Sequence, residues 1–427
     1  MVLFGTVALV YLLTINPNPS PDVYSADFAA WHIARTGEPV PDISDFPALD
    51  HNIIRETWIV ETADGREAVG RAPGVIAAGV PAYFLLRPDS LTAIPGGIAA
   101  ALLTAATVSL FHLTLRDRIG ERRALAAAAV LGLATPLWSV AADGMWPHTL
   151  TAFGIVGMAW AADRSDRSDR SGRSGAWWLV GLLGGIVLWG RLHAALVPAI
   201  LGLGVALARR RPGIAVRVGL ASGAMLGLMS VWTRWMYGRW DPSSGYRSGD
   251  FTRNAADNAL DVANFLGFWV APDRGLLVWS PVLVVMAVPL VRAWRGLPDW
   301  SRWLLLAGLG YLLVQGLLVR FSGGDAFYGY RTSLELVVCA APALALAADR
   351  MGPVARRLLA PAALLQLAMI APGAVVDNLG LPVAEVWHRN AFVEGVLHRP
   401  VVTLVPALVA VLAGTLFAWC VRRLPQT

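Results

Sequence analysis

An aspartate at the start of a predicted helix is a candidate for acid–base chemistry. Asp22 follows Pro21 just after the first apolar segment, and residues 23 to 36 have the periodicity of an amphipathic helix. A carboxylate held at a membrane surface has the position required of a general base for a hydroxyl that attacks a lipid-borne carbon. An acid here can instead cap the helix, because helix N-termini favour negative charge. Residue type alone leaves both interpretations open.

Three arginines lie in loops that we assign below to the same side of the membrane as Asp22. Arg247, Arg274 and Arg331 would form a cluster of guanidinium groups if those loops converge. Guanidinium groups bind phosphate or diphosphate through paired N–H donors. One such arginine can simply extend its charge into the headgroup layer, but three of them run against the usual bias of arginine toward cytoplasmic loops. We therefore predict a phosphate contact for at least one of them.

A tryptophan and a histidine form a further candidate contact in ADGMWPHTL, residues 142 to 150. Trp146 is of a type common at membrane interfaces. His148 is either a hydrogen-bonded interfacial residue or a contact to an acceptor or a phosphate. In FSGGDAFYGYRTSLE, residues 321 to 335, paired glycines permit a close backbone approach beside Arg331.

The elements that must position these residues are membrane helices. The chain has 427 residues, of which 56% are hydrophobic and only 15% charged, and its mean hydropathy is +0.55; soluble domains have about 25% charged residues. The net charge of +6 comes from arginine alone, spread between apolar segments, so it indicates topology and a GC-rich genome and does not indicate a nucleic-acid surface. Cys339 and Cys420 lie in apolar segments, which predicts neither a disulfide framework nor a metal cluster.

Arginine clusters divide the chain into pairs of apolar segments, and such clusters mark cytoplasmic loops. They lie at residues 116–123, 163–175, 209–217, 292–302, 349–357 and 422–423. Consecutive clusters enclose ten segments, and residues 1–15 and 91–115 add two, which predicts about 12 spans with a range of 11 to 13. Residues 1–15 lack a basic n-region and a cleavage site, which favours a first span over a removable signal peptide. We interpret residues 73–86, interrupted by Gly and Pro, as a re-entrant or interfacial segment.

This topology places three long loops outside, where carboxylates, aromatic residues and histidines collect. They are residues 16–70, 237–273 and 375–399, in one transmembrane domain of residues 1–427. The last loop adds candidate acceptor contacts at Glu385, Trp387, His388 and Arg389. The repetitive tract 163–175 is typical of a flexible cytoplasmic linker. We therefore expect the chemistry on the extracytoplasmic face.

Several of these segments resemble, in order and spacing, the motifs of bacterial GT-C superfamily glycosyltransferases. YGRWDPSSGYRS, APDRGLLVWSPVLV and SGGDAFYGYR are similar to three stretches of those enzymes, and RAPGVIAAGVPAYFLL and MWPHTLTAF are similar to two earlier ones. The resemblance covers about residues 10 to 350. In such enzymes the first outer loop carries the catalytic acid, with a glycine at the distance that separates Gly37 from Asp22.

The resemblance implies roles for individual residues. Asp22 would be the preferred base and Asp27 the reserve. Arg274, oriented by Asp273, and Arg331 would hold the donor phosphate, with Arg247 and His148 in support. The remaining candidate substrate contacts come from the same motifs: Tyr246, Trp146, Tyr328, Tyr330, Trp279 and Asp325. Val23 stands at the position where the family usually has a second acid. The resemblance therefore indicates no cofactor, and a divalent cation stays an open alternative.

The implied protein is an all-α, polytopic enzyme that transfers a sugar from a polyprenyl-phosphate donor to a hydroxyl of a glycan or lipid acceptor, with inversion if displacement is a single step. A GC-rich genome makes an actinobacterial arabinosyl- or mannosyltransferase of the cell envelope the expected relative. Two alternatives remain. A lipid or solute transporter would bind an anionic headgroup and carry ionisable residues near the middle of its spans, and an inactive relative would serve as a partner subunit.

Overall fold

The computed structural model describes residues 2–17, 20–46, 58–168, 175–247, 250–324, 327–376 and 379–423. These residues are mostly α-helical, as the composition predicts. The helices are α1 Val2–Leu12, α2 Pro21–Thr36, α3 Pro73–Leu86, α4 Ile94–Ile119, α5 Glu121–Leu133, α6 Pro147–Ser168, α7 Ala176–Gly190, α8 Leu196–Ala208, α9 Pro212–Tyr237, α10 Asp250–Asn258, α11 Val262–Val270, α12 Leu276–Trp279, α13 Pro281–Ala293, α14 Asp299–Leu318, α15 Leu334–Leu346, α16 Pro353–Val375, α17 Ala391–His398 and α18 Pro400–Arg423. A two-stranded antiparallel hairpin joins β1 Ile59–Glu61 to β2 Glu67–Val69, with Ile59 opposite Val69.

Six helical segments are long and apolar enough to cross a membrane. They are Ile94–Ile119, Pro212–Tyr237, Asp299–Leu318, Arg331–Arg350, Pro353–Val375 and Pro400–Arg423. Four shorter apolar helices accompany them: Val2–Leu12, Pro73–Leu86, Ala176–Gly190 and Leu192–Ala208. Each of the twelve predicted segments contains a helix. The polytopic helical fold class is confirmed, and the number of crossings stays a prediction.

The bundle has two chemically different ends. His148 lies in the first turn of α6, and Asp163 lies about 22 Å further along the axis of this helix. There, Asp163 accepts a hydrogen bond from Arg118 at 2.8 Å. The other ion pairs of this end join the arginine-rich segments to one another: Arg118 with Asp166, Arg209 with Asp166 and Asp299, Arg167 with Asp117, and Arg123 with Asp349. We call this the ion-pair end and the opposite one the site end. These ion pairs therefore bring together arginine-rich segments that the sequence predicts on one side of the membrane.

The predicted flexible linker is partly wrong. α6 continues to Ser168, so residues 163–168 are helical. The physical reason is pairing: Asp163 is fully buried against Arg118, and Asp166 accepts from Arg209 at 2.6 Å. The rest of the tract, residues 169–174, lies outside the described residues.

An apolar cluster at the site end fixes α2. Phe28 of α2 is buried in one cluster with Val60 of the hairpin, Tyr83 of α3 and Tyr237 at the end of α9. Full burial of one such side chain contributes about 1.5 to 3 kcal/mol. Pro at the first helical position and Gly37, whose φ is 72°, begin and end the helix as their backbone preferences favour. Asp22 is thereby held in the first turn of a rigid helix.

α3 packs along α2 and has both ends at the site end. Near its start, Gly74 lies against Trp189 at the end of α7. Just beyond its end, the carbonyl of Pro88 accepts hydrogen bonds from Trp31 and Arg35 of α2. α3 therefore does not extend to the ion-pair end.

Candidate active site

Asp22 lies in the first turn of α2 with both carboxylate oxygens engaged by side chains. The indole Nε1 of Trp58 donates to Oδ1 at 2.7 Å, and Nη1 of Arg331 donates to Oδ2 at 3.2 Å. Neither oxygen caps the helix through these bonds, so the capping interpretation does not account for Asp22. About a quarter of the side chain, 26%, remains exposed. The carboxylate is held in place and still accessible.

The charge state of Asp22 suits a base. Burial raises the pKa of Asp22, but the positive charges of Arg331 and Arg71 and the hydrogen bonds from Trp58 and Arg331 outweigh burial and leave this pKa below its ordinary value. Asp22 is therefore an ionised carboxylate at neutral pH.

Arg331 is held by two aromatic faces and a carbonyl. Its guanidinium carbon lies 4.5 Å from the ring centre of Trp146 and 4.1 Å from that of Phe327. Nη2 donates to the carbonyl of Gly323, whose φ is 64°, a left-handed conformation that glycine adopts without strain. The side chain is 12% exposed, so Arg331 does not extend into the headgroup layer. The predicted glycine turn thus brings Arg331 to Asp22.

Arg71, which the sequence analysis missed, is the second cation beside Asp22. Its guanidinium carbon lies 3.8 Å above the ring of Trp58, and the residue is 2% exposed. Within the described residues, its Nε and one Nη atom are buried without a hydrogen-bond acceptor. Burial lowers the pKa of Arg71 to about 10, which leaves it a cation at neutral pH. Unused buried donors on a cation have the chemistry of an anion site.

The loop that carries Tyr246 closes over Arg71. A Cβ on Gly245 would lie 2.4 Å from the carbonyl oxygen of Arg71, and one on Gly70 would lie 2.8 Å from the carbonyl of Gly245. Only glycine permits this approach of two backbones. Tyr246 is half-buried and interacts electrostatically with Arg71 and Arg191. The predicted substrate contact at Tyr246 therefore lies within the same group of residues.

A buried polar network lies under these groups and contains His148. Nη2 of Arg191 donates to Nε2 of His148 at 2.9 Å, so Nδ1 carries the ring proton and donates to Glu335 at 2.9 Å. Arg191 also donates to Gln315 at 3.1 Å. Both nitrogens of His148 are thus occupied within the protein. This differs from the predicted phosphate contact, because His148 instead orients Arg191.

Arg274 does not face Asp22. It is fully buried, donates to the carbonyls of Phe327 and Leu381, and lies 3.2 Å from Asp273. Its guanidinium carbon lies 3.9 Å from the ring of Phe327, whose ring also contacts Arg331. Asp273 does accompany Arg274 as predicted, although its Oδ1 also accepts from the backbone of Ala391 at 2.7 Å. In this structure Arg274 joins two loops and contacts the ring of Phe327, and its predicted phosphate contact stays a prediction.

Three predicted substrate contacts belong to the packed interior. Trp279 is fully buried and donates to the carbonyl of Asp273 at 2.7 Å, and its ring meets that of Tyr328 edge to face at 5.0 Å. Tyr328 donates to the carbonyl of Met369 at 2.9 Å, and Tyr330 is fully buried. In this structure the three side chains pack between distant segments, and their substrate contacts stay predictions.

The reserve base Asp27 lies in the packed interior. Its carboxylate is 1% exposed and lies against Gly96 in the first turn of α4. Burial raises the pKa of Asp27 well above its ordinary value. Asp27 is therefore harder to ionise than Asp22 and is not exposed to an acceptor hydroxyl.

The other predicted residues lie as follows. Trp146 is 7% exposed and supports Arg331. Arg247 is exposed beside residues 248–249, which lie outside the described part of the chain, as does Asp325. In the loop between α16 and α17, Arg389 pairs with Glu385 at 3.2 Å, and the ring of Trp387 lies 5.1 Å from that of Phe321.

The residues around Asp22 do not fit a divalent cation. Its nearest charged neighbours are the cations Arg331 and Arg71, and like charge disfavours a metal ion. Val23, at the position of the family's second acid, is buried in a cluster with Val140 and Trp146. Among the described residues, no three His, Cys, Asp or Glu side chains are grouped as metal ligands.

An apolar groove of about 320 Å³ lies elsewhere, between α7, α8 and α9, and no charged side chain lines it. Polar chemistry requires charged or hydrogen-bonding groups. The ion-paired group around Asp22 is therefore the candidate site.

The whole-chain geometry matches solved structures. The crystal structure of ArnT from Cupriavidus metallidurans bound to undecaprenyl phosphate has a TM-score of 0.50 and 16% identity, with 98% of this chain and 75% of ArnT covered. The chain has the GT-C fold. An apo structure of the same ArnT has a TM-score of 0.49, 16% identity and the same coverage. The oligosaccharyltransferase of Archaeoglobus fulgidus has a TM-score of 0.48 and 11% identity, with 98% of this chain and 55% of that chain covered.

No protein-family model matches the sequence, and no curated protein matches it. The GT-C fold is therefore evident from the path of the chain, and not from a close relative. Within that fold, four site residues escaped the sequence analysis: Trp58, Arg71, Arg191 and Glu335. Their only signal was the presence of a charge or a tryptophan beside an apolar segment, which is the pattern expected of functional polar groups in membrane proteins.

Proposed function

We propose that this protein is a membrane glycosyltransferase that transfers a sugar from a polyprenyl-phosphate donor to an acceptor hydroxyl on the extracytoplasmic face. One observation carries the proposal: the ionised carboxylate of Asp22 is paired with Arg331 and lies beside the buried cation Arg71, whose N–H donors are partly unused. A base next to two cations is the minimum set of groups for this transfer.

The charge of the site supports an anionic donor. The three arginines Arg71, Arg191 and Arg331 outnumber the two carboxylates, Asp22 and Glu335, by one positive charge. A sugar linked through a phosphodiester to a lipid carries one negative charge and would neutralise that excess. The ArnT structure with the GT-C fold contains undecaprenyl phosphate, which supports a lipid phosphate as the ligand.

In the proposed reaction, Asp22 removes the proton from the acceptor hydroxyl. The acceptor oxygen attacks the anomeric carbon, the bond from that carbon to the phosphate oxygen breaks, and the electron pair leaves with the polyprenyl phosphate. Asp22 ends as a neutral acid, and Arg331 and Arg71 stabilise the second negative charge of the leaving phosphate. A single displacement inverts the anomeric configuration.

The neighbouring residues have supporting roles in this proposal. Trp146 and Phe327 hold the plane of Arg331, and Tyr246 lies close to Arg71, where it is positioned to contact the phosphate or the sugar. His148 and Glu335 hold Arg191 at the floor of the site. Arg247 remains a candidate phosphate contact and Asp325 a candidate substrate contact. No step requires a metal ion.

The test is sugar transfer by the purified full-length protein in lipid nanodiscs. Radiolabelled polyprenyl-phosphate arabinose, mannose and other sugars are supplied one at a time with cell-envelope lipid and glycan acceptors, and the Asp22→Asn variant is the control. The proposal predicts transfer of at least one sugar that Asp22→Asn does not support. Folded wild-type protein that binds no lipid phosphate and transfers no sugar from this set contradicts it.

Transport is the second candidate, because the same cations would bind an anionic headgroup. It is favoured by the buried Arg191 and Glu335 in the bundle, since buried charges also mark transport paths. A flux assay in proteoliposomes separates the two: movement of labelled polyprenyl phosphate without sugar transfer supports transport. A folded protein with neither activity would act as an inactive partner subunit.

A further inference from the structure

Trp58 contacts both halves of the candidate site. Its indole N–H donates to Oδ1 of Asp22 at 2.7 Å, and its ring lies 3.8 Å from the guanidinium carbon of Arg71. It stands at the start of β1, whose pairing with β2 ends directly before Arg71. The backbone of Gly70 donates to the carbonyl of Trp58 at 2.8 Å. The hairpin therefore holds Trp58 and Arg71 next to each other.

We infer that Trp58 is a positioning residue that sets the orientation of the base Asp22 with its N–H and the position of the phosphate-binding Arg71 with its ring. The inference rests on the proposed function, in which Asp22 is the base and Arg71 binds the donor phosphate.

The first half of the inference follows from the geometry of a carboxylate. Asp22 turns freely about its terminal bond unless both oxygens have partners. Arg331 holds Oδ2, and Trp58 supplies the matching donor at Oδ1. A hydrogen bond to a carboxylate stabilises the ionised form and so lowers its pKa. The charged groups that face Asp22 are Arg331 and Arg71, with Arg191 behind Arg71.

The second half follows from the unused donors of Arg71. Its Nε and one Nη lack acceptors within the described residues, so hydrogen bonds at these atoms do not fix the guanidinium plane. The face of Trp58 does so through a cation–π contact, the strongest such contact among the aromatic residues. The ring covers one face of the guanidinium group and takes up none of its N–H donors, two of which have no acceptor among the described residues.

Two substitutions separate these roles. Trp58→Phe keeps a ring under Arg71 and removes the N–H from Asp22, whereas Trp58→Leu removes both. We expect Trp58→Phe to lower kcat about tenfold or more, the usual effect of losing a hydrogen bond to a charged group, and to move the acidic limb of the pH profile to higher pH. Its KM for the donor should stay within about twofold of wild type, and that of Trp58→Leu should rise about tenfold.

The matched control is Trp138→Phe. Trp138 is also a buried indole donor, but it donates to the hydroxyl of Thr14 at 3.0 Å and not to Asp22. We expect the Trp138→Phe variant to have the same pH profile and the same donor KM as wild type. A merely structural role of Trp58 predicts lower thermal stability and lower kcat in Trp58→Phe with no shift of the acidic limb, and that result would overturn the inference.

A measurement without turnover distinguishes failure of this inference from failure of the proposed function. Water-soluble carbodiimides react with protonated carboxyl groups, and peptide mass spectrometry reports the extent of modification at Asp22. We expect faster modification of Asp22 in Trp58→Phe than in wild type or Trp138→Phe at the same mildly acidic pH. Equal rates refute the positioning of Asp22 by Trp58 even if sugar transfer is observed. Faster modification in a protein that transfers no sugar supports the positioning and refutes the proposed function.

Discussion

Asp22 and Arg331 are separated by 309 residues in the sequence and by 3.2 Å between Oδ2 and Nη1 in the structure. The pair joins the first turn of α2 to the turn before α15. Because Asp22 is partly exposed and Arg331 lies between two aromatic rings, the pair is a fixed junction of opposite charges at an accessible surface. The proposed chemistry depends on this junction.

Replacing each aspartate of α2 by asparagine should give opposite results. Asp22→Asn removes the base, and we expect sugar transfer to fall about 10² to 10⁴-fold. Asp27→Asn replaces a buried carboxyl group by an amide of the same shape, and we expect transfer within about threefold of wild type. Initial rates at neutral pH measure both. Equal loss in the two variants would contradict the assignment of Asp22 as the base.

The buried acid Asp27 should make stability depend on pH. Burial raises the pKa of Asp27 in the folded state above its value in the unfolded state. The protonated acid therefore stabilises the folded protein below the unfolded-state pKa, and this stabilisation is lost as pH rises through the folded-state pKa. The Asp27→Asn variant has an amide at this position, which does not titrate. We therefore expect the Tm of Asp27→Asn relative to wild type to increase from about pH 5 to about pH 8. A pH-independent difference would show that Asp27 ionises normally.

Arginine at position 331 should not be replaceable by lysine. Arg331 combines an ion pair to Asp22, a hydrogen bond to Gly323 and contacts with two rings, and an ammonium group cannot make all of them. We expect Arg331→Lys to lower kcat/KM about 10 to 100-fold, close to the effect of Arg331→Gln. Donor titrations with each variant test this. Near wild-type kcat/KM in Arg331→Lys would mean that charge alone suffices.

Arg274 should affect stability without affecting donor binding. Its removal leaves Asp273 buried without its cation, a change that costs about 3 to 5 kcal/mol for buried ion pairs. We expect Arg274→Met to lower the Tm markedly, while the fraction that stays folded keeps a donor KM within about twofold of wild type. Thermal unfolding and donor titration at low temperature measure the two effects. A large rise in the donor KM with an unchanged Tm would instead support direct binding of the donor phosphate by Arg274.

The two ends of the bundle should label from opposite sides of the membrane. In a Cys420→Ser background, Glu38→Cys places a thiol near the site end and Gly296→Cys places one at the loop before α14, where a Cβ meets no atom within 4 Å. We expect an impermeant maleimide to label Glu38→Cys in intact cells and Gly296→Cys only after lysis. The reverse pattern would place the candidate site in the cytoplasm.

The sequence predicted those features of the site that depend on local order along the chain. The apolar segments fixed the helical class, the period of residues 23–36 agreed with α2, and the paired glycines at 323 and 324 adopt the positive φ values that such a turn requires. Asp22, Arg331 and Trp146 lie in segments of this kind, and the structure places them in contact around Arg331. These inferences succeed because backbone preference and hydropathy act over a few neighbouring residues.

Tertiary structure decided which polar groups lie at the candidate site and which are buried against other parts of the protein. Asp22 and Asp27 have the same chemistry and lie on one helix, yet the cation Arg331 and the indole of Trp58 bind Asp22 directly, whereas Asp27 is 1% exposed and burial raises its pKa. Arg274 and Arg331 also have the same chemistry, yet one is buried against carbonyls and the other meets Asp22. Arg71 lies at the candidate site because its guanidinium group packs on the ring of Trp58 and its backbone packs against Gly245. Burial and ion pairing are set by segments hundreds of residues apart, and one-dimensional patterns do not record those distances.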